Sequence, residues 1–212
     1  MKILLVNGSP HAAGNTARAL DEVARALEAE GLASEVFRIG TAPVRGCIAC
    51  GKCHDGSGKA GRCAFDDDVC NRFCEAAETA DGFVFGTPVY YGQPNGALLA
   101  VLQRAFFAGA AVAFKPAASV VVCRRGGGTA AFQAMNMICQ MCNMPLATSQ
   151  YWNLVYGRAP GDAGRDAEGL QTMRMLARNL AWMVRSLAGA PHPEREPWQP
   201  THFVRDDLPA GK

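Results

Sequence analysis

The chain has 212 residues, of which 49% are hydrophobic, and it carries a formal net charge of +2. This length and composition are typical of one globular domain, and the small charge gives no support for nucleic acid or an acidic membrane surface as a partner. Because the chain contains no signal-peptide core and no apolar run of about 20 residues, we expect a cytoplasmic protein that does not enter a membrane.

The chain begins with a short apolar run from Ile3 to Val6, which predicts a buried strand. A loop of small and polar residues, Asn7 to Thr16, follows and leads into a segment with helical spacing that ends near Glu30. In this arrangement the loop amides and the positive end of the helix face one point. A phosphate group is the natural ligand there.

The residue types of this first loop also suit a phosphate. Gly14 allows a close backbone approach, and Ser9 and Thr16 supply hydroxyls. Asn15 and Thr16 are favourable helix caps, and His11 could add a hydrogen-bond donor or, when protonated, a charge. Neither G-x-x-x-x-G-K-S/T nor G-x-G-x-x-G occurs here, which favours a single phosphate over a triphosphate or a pyrophosphate. The alternative is an ordinary turn, in which small polar residues are also common.

The next segments predict a second strand, a long loop and a second helix. Residues 34–39 form the strand, which is parallel to the first because a helix joins the two. Residues 46–65 lack apolar periodicity and contain four cysteines, so they predict a loop held by something other than hydrophobic packing. Three aspartates, Asp66 to Asp68, then predict the cap of a helix that ends near Ala80.

The rest of the chain repeats the alternation of strand and helix. Predicted strands cover 82–87, 119–123 and part of 147–155. Predicted helices cover 96–107, a segment containing Cys139 and Cys142, and about 166–187. From Ala190 onward, frequent prolines exclude regular structure. We therefore predict one domain, residues 1–189, with a cysteine-rich insertion at about 46–65, and a proline-rich tail at 190–212.

Five strands that alternate with helices predict an α/β fold, a doubly wound five-stranded parallel sheet in the order 2-1-3-4-5. In such a sheet ligands bind at the carboxyl ends of the strands, between strands one and three. The loops after strands one, three and four should therefore meet at one site.

The loops after the third and fourth strands suit a planar, partly polar ring. Backbone amides and carbonyls of the first of these loops would lie along the ring, and Tyr90 or Tyr91 would form an aromatic wall. The alternative is that both tyrosines pack against the following helix. The second loop, Arg124 to Thr129, offers a guanidinium and three bare glycine amides, which can form an anion-binding nest. A plain flexible turn is the alternative there.

In these three loops the sequence resembles the flavodoxin-like NAD(P)H-dependent FMN reductases. That family's first loop reads Gly-Ser-Pro followed by Gly-Asn-Thr, as here at 8–10 and 14–16, and segments 87–91 and 126–128 are similar to its flavin-contacting segments. His11 stands where the family often has a basic residue. The resemblance implies NAD(P)H as reductant and FMN as cofactor, with a phosphate site formed by Ser9, His11, Gly14, Asn15 and Thr16. It implies a ring site formed by Pro88, Val89, Tyr90, Tyr91, Gly92, Gln93, Arg124, Gly126, Gly127 and Gly128.

Four of the nine cysteines lie close together in the 46–65 loop, namely Cys47, Cys50, Cys53 and Cys63. Four thiolates can hold a zinc ion or an iron-sulfur cluster, and the two successive Cys-x-x-Cys spacings favour a [4Fe-4S] cluster. The resemblance to the iron-sulfur flavoproteins of the same family implies such a cluster, although the gap before Cys63 is longer than theirs. Cys70 or Cys74 could replace Cys63, and free thiols in a loop ordered by contacts between subunits are a further alternative.

Three functions follow as hypotheses. The first is an FMN-dependent oxidoreductase that passes electrons from NAD(P)H to a quinone, a nitro or azo compound, a flavin or a protein. In it the flavin carries the chemistry, so we predict no catalytic side chain. The second is an iron-sulfur flavoprotein that exchanges electrons between FMN and a [4Fe-4S] cluster, and the third is a flavin-binding or metal-binding redox sensor without turnover. The resemblance also implies a homodimer or homotetramer.

Overall fold

The computed structural model describes residues 1–56, 58–197 and 199, which form one sheet with helices on both faces. The strands are β1 (Lys2–Asn7), β2 (Ala33–Arg38), β3 (Gly82–Tyr90), β4 (Gln93–Pro94), β5 (Ala117–Cys123) and β6 (Leu154–Tyr156). The helices are α1 (Asn15–Ala29), α2 (Cys70–Glu78), α3 (Gly96–Phe107), α4 (Gly128–Met141) and α5 (Ala167–Leu187), with a 3₁₀ helix at Asp162–Arg165.

The sheet has the predicted strand order. Its parallel strands run β2-β1-β3-β5-β6, which is 2-1-3-4-5 when the two-residue β4 is left out. Strand β4 pairs antiparallel with the end of β3 and forms a hairpin. The predicted α/β fold with a doubly wound parallel sheet is confirmed.

Side chains that alternate along the strands face two apolar cores, one on each side of the sheet. Ile3 and Leu5 of β1 pack with α1 and α5, whereas Leu4 and Val6 pack with α2, α3 and α4. Because both faces are covered, β1, β3 and β5 are nearly continuous apolar runs. The functional loops therefore gather at the carboxyl ends of the strands.

Strand β3 is longer than predicted, because Pro88, Val89 and Tyr90 belong to it rather than to the following loop. The carbonyl of Gly86 accepts a hydrogen bond from the amide of Gly8, so Gly86 faces β1. Pro88, two residues later, faces the same side beyond the last residue of β1. Its missing N–H therefore breaks no hydrogen bond of the sheet.

Two other boundaries also differ from the prediction. Helix α2 begins at Cys70, because the carboxylate of Asp68 accepts the amide of Cys70 (3.0 Å) and forms an ion pair with Arg104 outside the helix. The fifth parallel strand is limited to Leu154–Tyr156, at the far end of the predicted segment. The chain between α4 and this strand is mostly irregular.

Of the predicted proline-rich tail, residues 190–197 and 199 are described, and they form neither helix nor strand. The rest of that prediction lies outside the described residues. No helix in the described part of the chain is both long enough and apolar enough to span a bilayer.

Candidate functional site

A cavity of about 720 Å³ opens at the carboxyl ends of the strands. Its walls come from the loops after β1, β5 and β6 and from the end of β3. The lining residues are Ser9, Pro10, His11, Ala12, Ala13, Gly14, Asn15, Thr16, Pro88, Val89, Tyr90, Val122, Cys123, Arg124, Gly157, Arg158 and Pro160. The structure thus brings the predicted loops together and adds a loop that the sequence analysis did not include.

Hydrogen bonds among its own residues shape the first loop. The amide of Ser9 donates to Asn7 Oδ1 (2.9 Å), and the amide of His11 donates to Ser9 Oγ (3.1 Å). The amide of Gly8 donates to the carbonyl of Gly86 (2.8 Å), and a Cβ on Gly8 would lie 2.9 Å from that oxygen. Glycine therefore lets the loop lie directly against the end of β3.

Asn7 belongs to this loop, but the predicted site omitted it. Its side chain is 1% exposed, and Nδ2 has no hydrogen-bond partner among the described residues. Asn7 does not itself line the cavity, and it shapes the first loop by accepting the amide of Ser9. The sequence did contain a signal for this role of Asn7. An asparagine at the end of an apolar strand is typical of turns in which its side chain accepts the amide of a later residue.

The prediction that Asn15 and Thr16 cap helix α1 is wrong. The N-cap is Gly14, and Asn15 and Thr16 are the first residues of the helix. Amides in the first turn of a helix have no acceptor within the helix. Because Gly14, Asn15 and Thr16 line the cavity, these amides lie at its wall, and no acidic side chain occupies the first turn. The arrangement fits an anion, and the individual phosphate contacts stay predictions.

The side chain of Asn15 forms hydrogen bonds with the segment that follows β6. Its Nδ2 donates to the carbonyl of Ala159 (2.9 Å), and its Oδ1 accepts the amide of Ala163 (3.1 Å). These two bonds attach the start of α1 to the loop after β6. Asn15 therefore holds that loop against the cavity, which leaves only its backbone amide for the predicted phosphate contact.

The predicted ring site is divided between the cavity wall and the hairpin beside it. Pro88, Val89 and Tyr90 line the cavity, whereas Tyr91, Gly92 and Gln93 form the turn and the start of β4. Tyr90 is 44% exposed and Tyr91 is fully exposed, so the alternative that Tyr91 packs against α3 is excluded. Tyr90 is the tyrosine placed to contact a ring.

The glycine turn after β5 supports this hairpin. Gly127 is the N-cap of α4 with a φ of 82°, and a Cβ on it would lie 2.8 Å from Cα of Gly92. Arg124 lines the cavity itself, while Gly126 is exposed and Gly128 is the buried first residue of α4. None of Gly126, Gly127 and Gly128 is among the residues that line the cavity, so the turn supports the hairpin from behind instead of forming the cavity wall.

The loop after β6 was missed. Gly157, Arg158 and Pro160 line the cavity, and so does Cys123 at the end of β5. Burial raises the pKa of the Cys123 thiol, so the wall there is neutral. The sequence signal for this loop was an arginine between a glycine and a proline after the fifth predicted strand. Because this arginine is far in sequence from the first loop, its place at the same cavity was not apparent.

The cavity lining carries charge of one sign. His11, Arg124 and Arg158 border it, and among its described lining residues there is no aspartate or glutamate. The start of α1 adds positive potential. These residues fit a ligand with a phosphate group and a planar, partly polar ring, which is the chemistry of FMN.

The four cysteines of the 46–65 loop border a second cavity of about 20 Å³, enough for roughly one water molecule. Cys47 and Cys50 are exposed, and Cys53 and Cys63 are half-buried. Burial raises the pKa of the Cys53 thiol, and charges on the other three thiols act in the same direction, so the four groups lie near one another.

Arg104 of α3 holds the end of this loop. Its Nε donates to Cys63 Sγ (3.4 Å), its Nη2 donates to the carbonyl of Phe65 (3.2 Å), and it forms an ion pair with Asp68. The side chain of Asn71 pairs with both the amide (2.9 Å) and the carbonyl (3.0 Å) of Cys63. A buried polar network, rather than apolar packing, therefore orders the segment.

The alternative ligands Cys70 and Cys74 are fully buried in the core between α2 and α3, which does not favour either as a replacement for Cys63. Within the described chain, no group of three or more His, Cys, Asp or Glu side chains is placed to hold a metal ion. The four thiols share a cavity but, as they lie, do not fit a cluster. The metal site at Cys47, Cys50, Cys53 and Cys63 stays a prediction.

Comparison with curated proteins finds iron-sulfur flavoproteins. One of them, from Methanocaldococcus jannaschii, is 29% identical over 194 residues, which is 87% of this chain and 98% of that protein. An iron-sulfur flavoprotein of Archaeoglobus fulgidus is 30% identical over 104 residues, which is 49% of this chain and 48% of that protein.

Comparison with solved structures confirms the flavodoxin-like fold. A flavodoxin from the domain Archaea is 14% identical, covers 87% of this chain and 99% of its own, and has a TM-score of 0.58. RosB with a bound 8-demethyl-8-formylriboflavin-5'-phosphate is 18% identical, covers 91% of this chain and 82% of its own, and has a TM-score of 0.71. The sequence model of the family of NADPH-dependent FMN reductases matches residues 1–158. The resemblance noted in the sequence is thereby confirmed, and this chain belongs to the NADPH-dependent FMN reductase family of flavin-dependent oxidoreductases.

Proposed function

We propose that this oxidoreductase binds FMN in the 720 Å³ cavity and uses NAD(P)H as its reductant. One observation carries the proposal: a single cavity joins helix-start amides, the aromatic end of β3 and a lining with basic but no acidic side chains among its described residues. A phosphate would lie on the first loop, and a ring would lie against Pro88 to Tyr90.

The chain supplies binding, orientation and electrostatics. FMN, when bound, supplies the redox chemistry by accepting a hydride and releasing electrons one or two at a time. Arg124 stabilises negative charge that develops on the ring. Tyr90, Arg124 and Arg158 are exposed at the mouth of the cavity, which leaves an approach for a second ligand. The proposed acceptor is a quinone, a nitro or azo compound, a flavin or a protein.

The absorption spectrum of protein purified without air tests this proposal. We expect two bands of bound flavin that lose intensity when NADPH or NADH is added, because hydride transfer removes the absorption of the oxidised ring. A protein without these bands, even after incubation with FMN, would refute FMN binding. Bands that persist with both nicotinamides would refute the reductant, and turnover no faster than that of free FMN would favour a redox sensor.

A second candidate is an iron-sulfur flavoprotein in which FMN and a [4Fe-4S] cluster exchange electrons. Two observations favour it: four cysteines border one cavity, and curated relatives are iron-sulfur flavoproteins. The loop would have to open, because the thiols do not form a metal site as they lie. The same anaerobic protein should then contain iron and acid-labile sulfide, whereas zinc alone or neither element would exclude this candidate.

We also propose that the protein is a homodimer or homotetramer. Met137 and Met141 lie one turn apart on α4 and are 57% and 78% exposed, and Tyr91 is fully exposed on the hairpin that the start of α4 touches. Exposed apolar side chains of this size suit contact with a second copy. Sedimentation velocity at micromolar concentration should show a dimer or tetramer, and a single 22.5 kDa species would contradict the proposal.

The cytoplasm is the proposed location. None of the nine cysteines, all of which lie in the described part of the chain, forms a disulfide, and this is typical of a reducing compartment.

A further inference from the structure

The loop after β6 brings a basic side chain, Arg158, to the wall of the cavity. We propose that Arg158 binds the phosphate group of FMN together with the amides at the start of α1. This inference rests on the FMN binding proposed above. Its support is the position of the loop, the fixed backbone on both sides of Arg158, and the charge of its neighbours.

The loop after β6 places Arg158 beside the first loop. Strand β6 is the edge strand, with β5 and β3 between it and β1, yet the chain that follows it returns to the start of α1. A Cβ on Gly157 would lie 2.9 Å from Cγ of Asn15, and the carbonyl of Ala159 accepts the Asn15 side chain at 2.9 Å. Arg158 therefore lies between two residues that both touch the first turn of α1.

The backbone around Arg158 is fixed before any ligand binds. The amides of Arg158 and Ala159 donate to the same oxygen of Asp162, at 3.1 and 2.7 Å. The amide of Gly157 donates to the carbonyl of Cys123 (3.0 Å). Only the Arg158 side chain has to be ordered when a phosphate binds, which lowers the entropic cost of the contact.

Charge also favours Arg158 over the other basic groups. Its guanidinium presents N–H donors in a fork that can bond two phosphate oxygens at once, whereas the two ring nitrogens of the His11 imidazole cannot bind a phosphate in this way. Arg18 lies near the same loop but is paired with Glu22 at 3.0 Å. Arg158 takes part in none of the ion pairs found among the described residues, and Arg124 precedes the glycine turn that supports the predicted ring site.

The test compares FMN with riboflavin, which lacks only the phosphate. The full-length protein, freed of bound flavin, is titrated with each flavin while flavin fluorescence is recorded. We expect Arg158→Gln to weaken FMN binding by about 10- to 100-fold and to change riboflavin binding by less than about twofold. Arg158→Lys should show an intermediate loss. Arg165→Gln is the matched control, because Arg165 is an exposed arginine of the same connection and does not line the cavity.

The outcomes separate this inference from the proposed function. If the unsubstituted protein binds neither flavin, the proposed function fails. If it prefers FMN and Arg158→Gln retains that preference, or loses affinity for both flavins equally, the phosphate contact is wrong while FMN binding stands. Equal losses in Arg158→Gln and Arg165→Gln would likewise overturn the contact, because they would show a general effect of charge.

Discussion

Replacing Asp68 by asparagine is expected to lower the free energy of unfolding by about 3–5 kcal/mol. The Asp68 and Arg104 side chains are only 4% and 1% exposed, and Asp68 is the ion-pair partner of this guanidinium. Removing the carboxylate leaves a buried positive charge uncompensated. Urea unfolding at neutral pH under reducing conditions measures the loss.

Asp67→Asn is the matched control for this prediction. Asp67 precedes Asp68 and pairs with Arg45, but the two side chains are 60% and 44% exposed. An exposed pair contributes about 0–1 kcal/mol, so this variant should unfold almost as the unsubstituted protein does. If both variants lost the same free energy, the stabilising role assigned to the buried pair would be wrong.

The pH dependence of unfolding of the unsubstituted protein and of Asp68→Asn gives an independent check. Burial acts to raise the pKa of the Asp68 carboxyl, but the hydrogen bond and charge of Arg104, with amide bonds from Cys70 and Arg45, lower it overall. A carboxyl with a lowered pKa stabilises the fold above its unfolded pKa of about 3.9, and this stability is lost as the pH falls through the folded value. The difference between the unsubstituted protein and Asp68→Asn should therefore shrink below about pH 4.

Replacing Gly127 by alanine is expected to destabilise the protein by about 2–4 kcal/mol and to weaken FMN binding at least about tenfold. The residue has a φ of 82°, which costs about 1–2 kcal/mol for a residue with a side chain. In addition, its new Cβ would lie 2.8 Å from Cα of Gly92 and 3.2 Å from Cγ1 of Val89. The hairpin must move, and the ring wall moves with it.

Gly31→Ala separates the cost of a positive φ from the cost of the contact between the new Cβ and the hairpin. Gly31 also has a positive φ, of 74°, but no atom lies within 4 Å of the position of its Cβ, and it follows the end of α1 that is far from the cavity. This variant should lose only about 1–2 kcal/mol and bind FMN normally. Urea unfolding and flavin fluorescence measure both properties. A Gly127→Ala protein no worse than Gly31→Ala would show that the contact with the hairpin does not matter.

Local patterns in the sequence were sufficient to predict most of the fold. Apolar runs predicted the parallel strands, because a strand covered on both faces has no polar face, and the order of the sheet followed from the alternation with helices. Pro88 concealed the end of β3, since a proline is harmless in a strand only where no neighbour needs its N–H. That condition depends on where β1 ends, which the residues around Pro88 do not encode.

The candidate site was predictable where it is local and not where it is assembled from distant residues. The first loop follows from its glycines, hydroxyls and position between strand and helix. The bonds from Asn15 to Ala159 and Ala163 join residues 144 and 148 positions apart, so no local pattern indicates them. For the same reason Arg158 was missed, and the role of Arg104 in ordering the cysteine loop was not apparent from the residues around it.

The attachment of Asn15 to the loop after β6 also has a consequence for biosynthesis. The first loop is synthesised well before Ala163, because Asn15 and Ala163 are 148 positions apart, yet the wall of the cavity includes Pro160 and the bond that fixes this wall uses Ala163. The cavity is therefore complete only after Ala163 has been translated, and a nascent chain that stops before Ala163 holds the first loop without its wall. A ligand that needs this wall can therefore bind only after the loop that follows β6 has been synthesised.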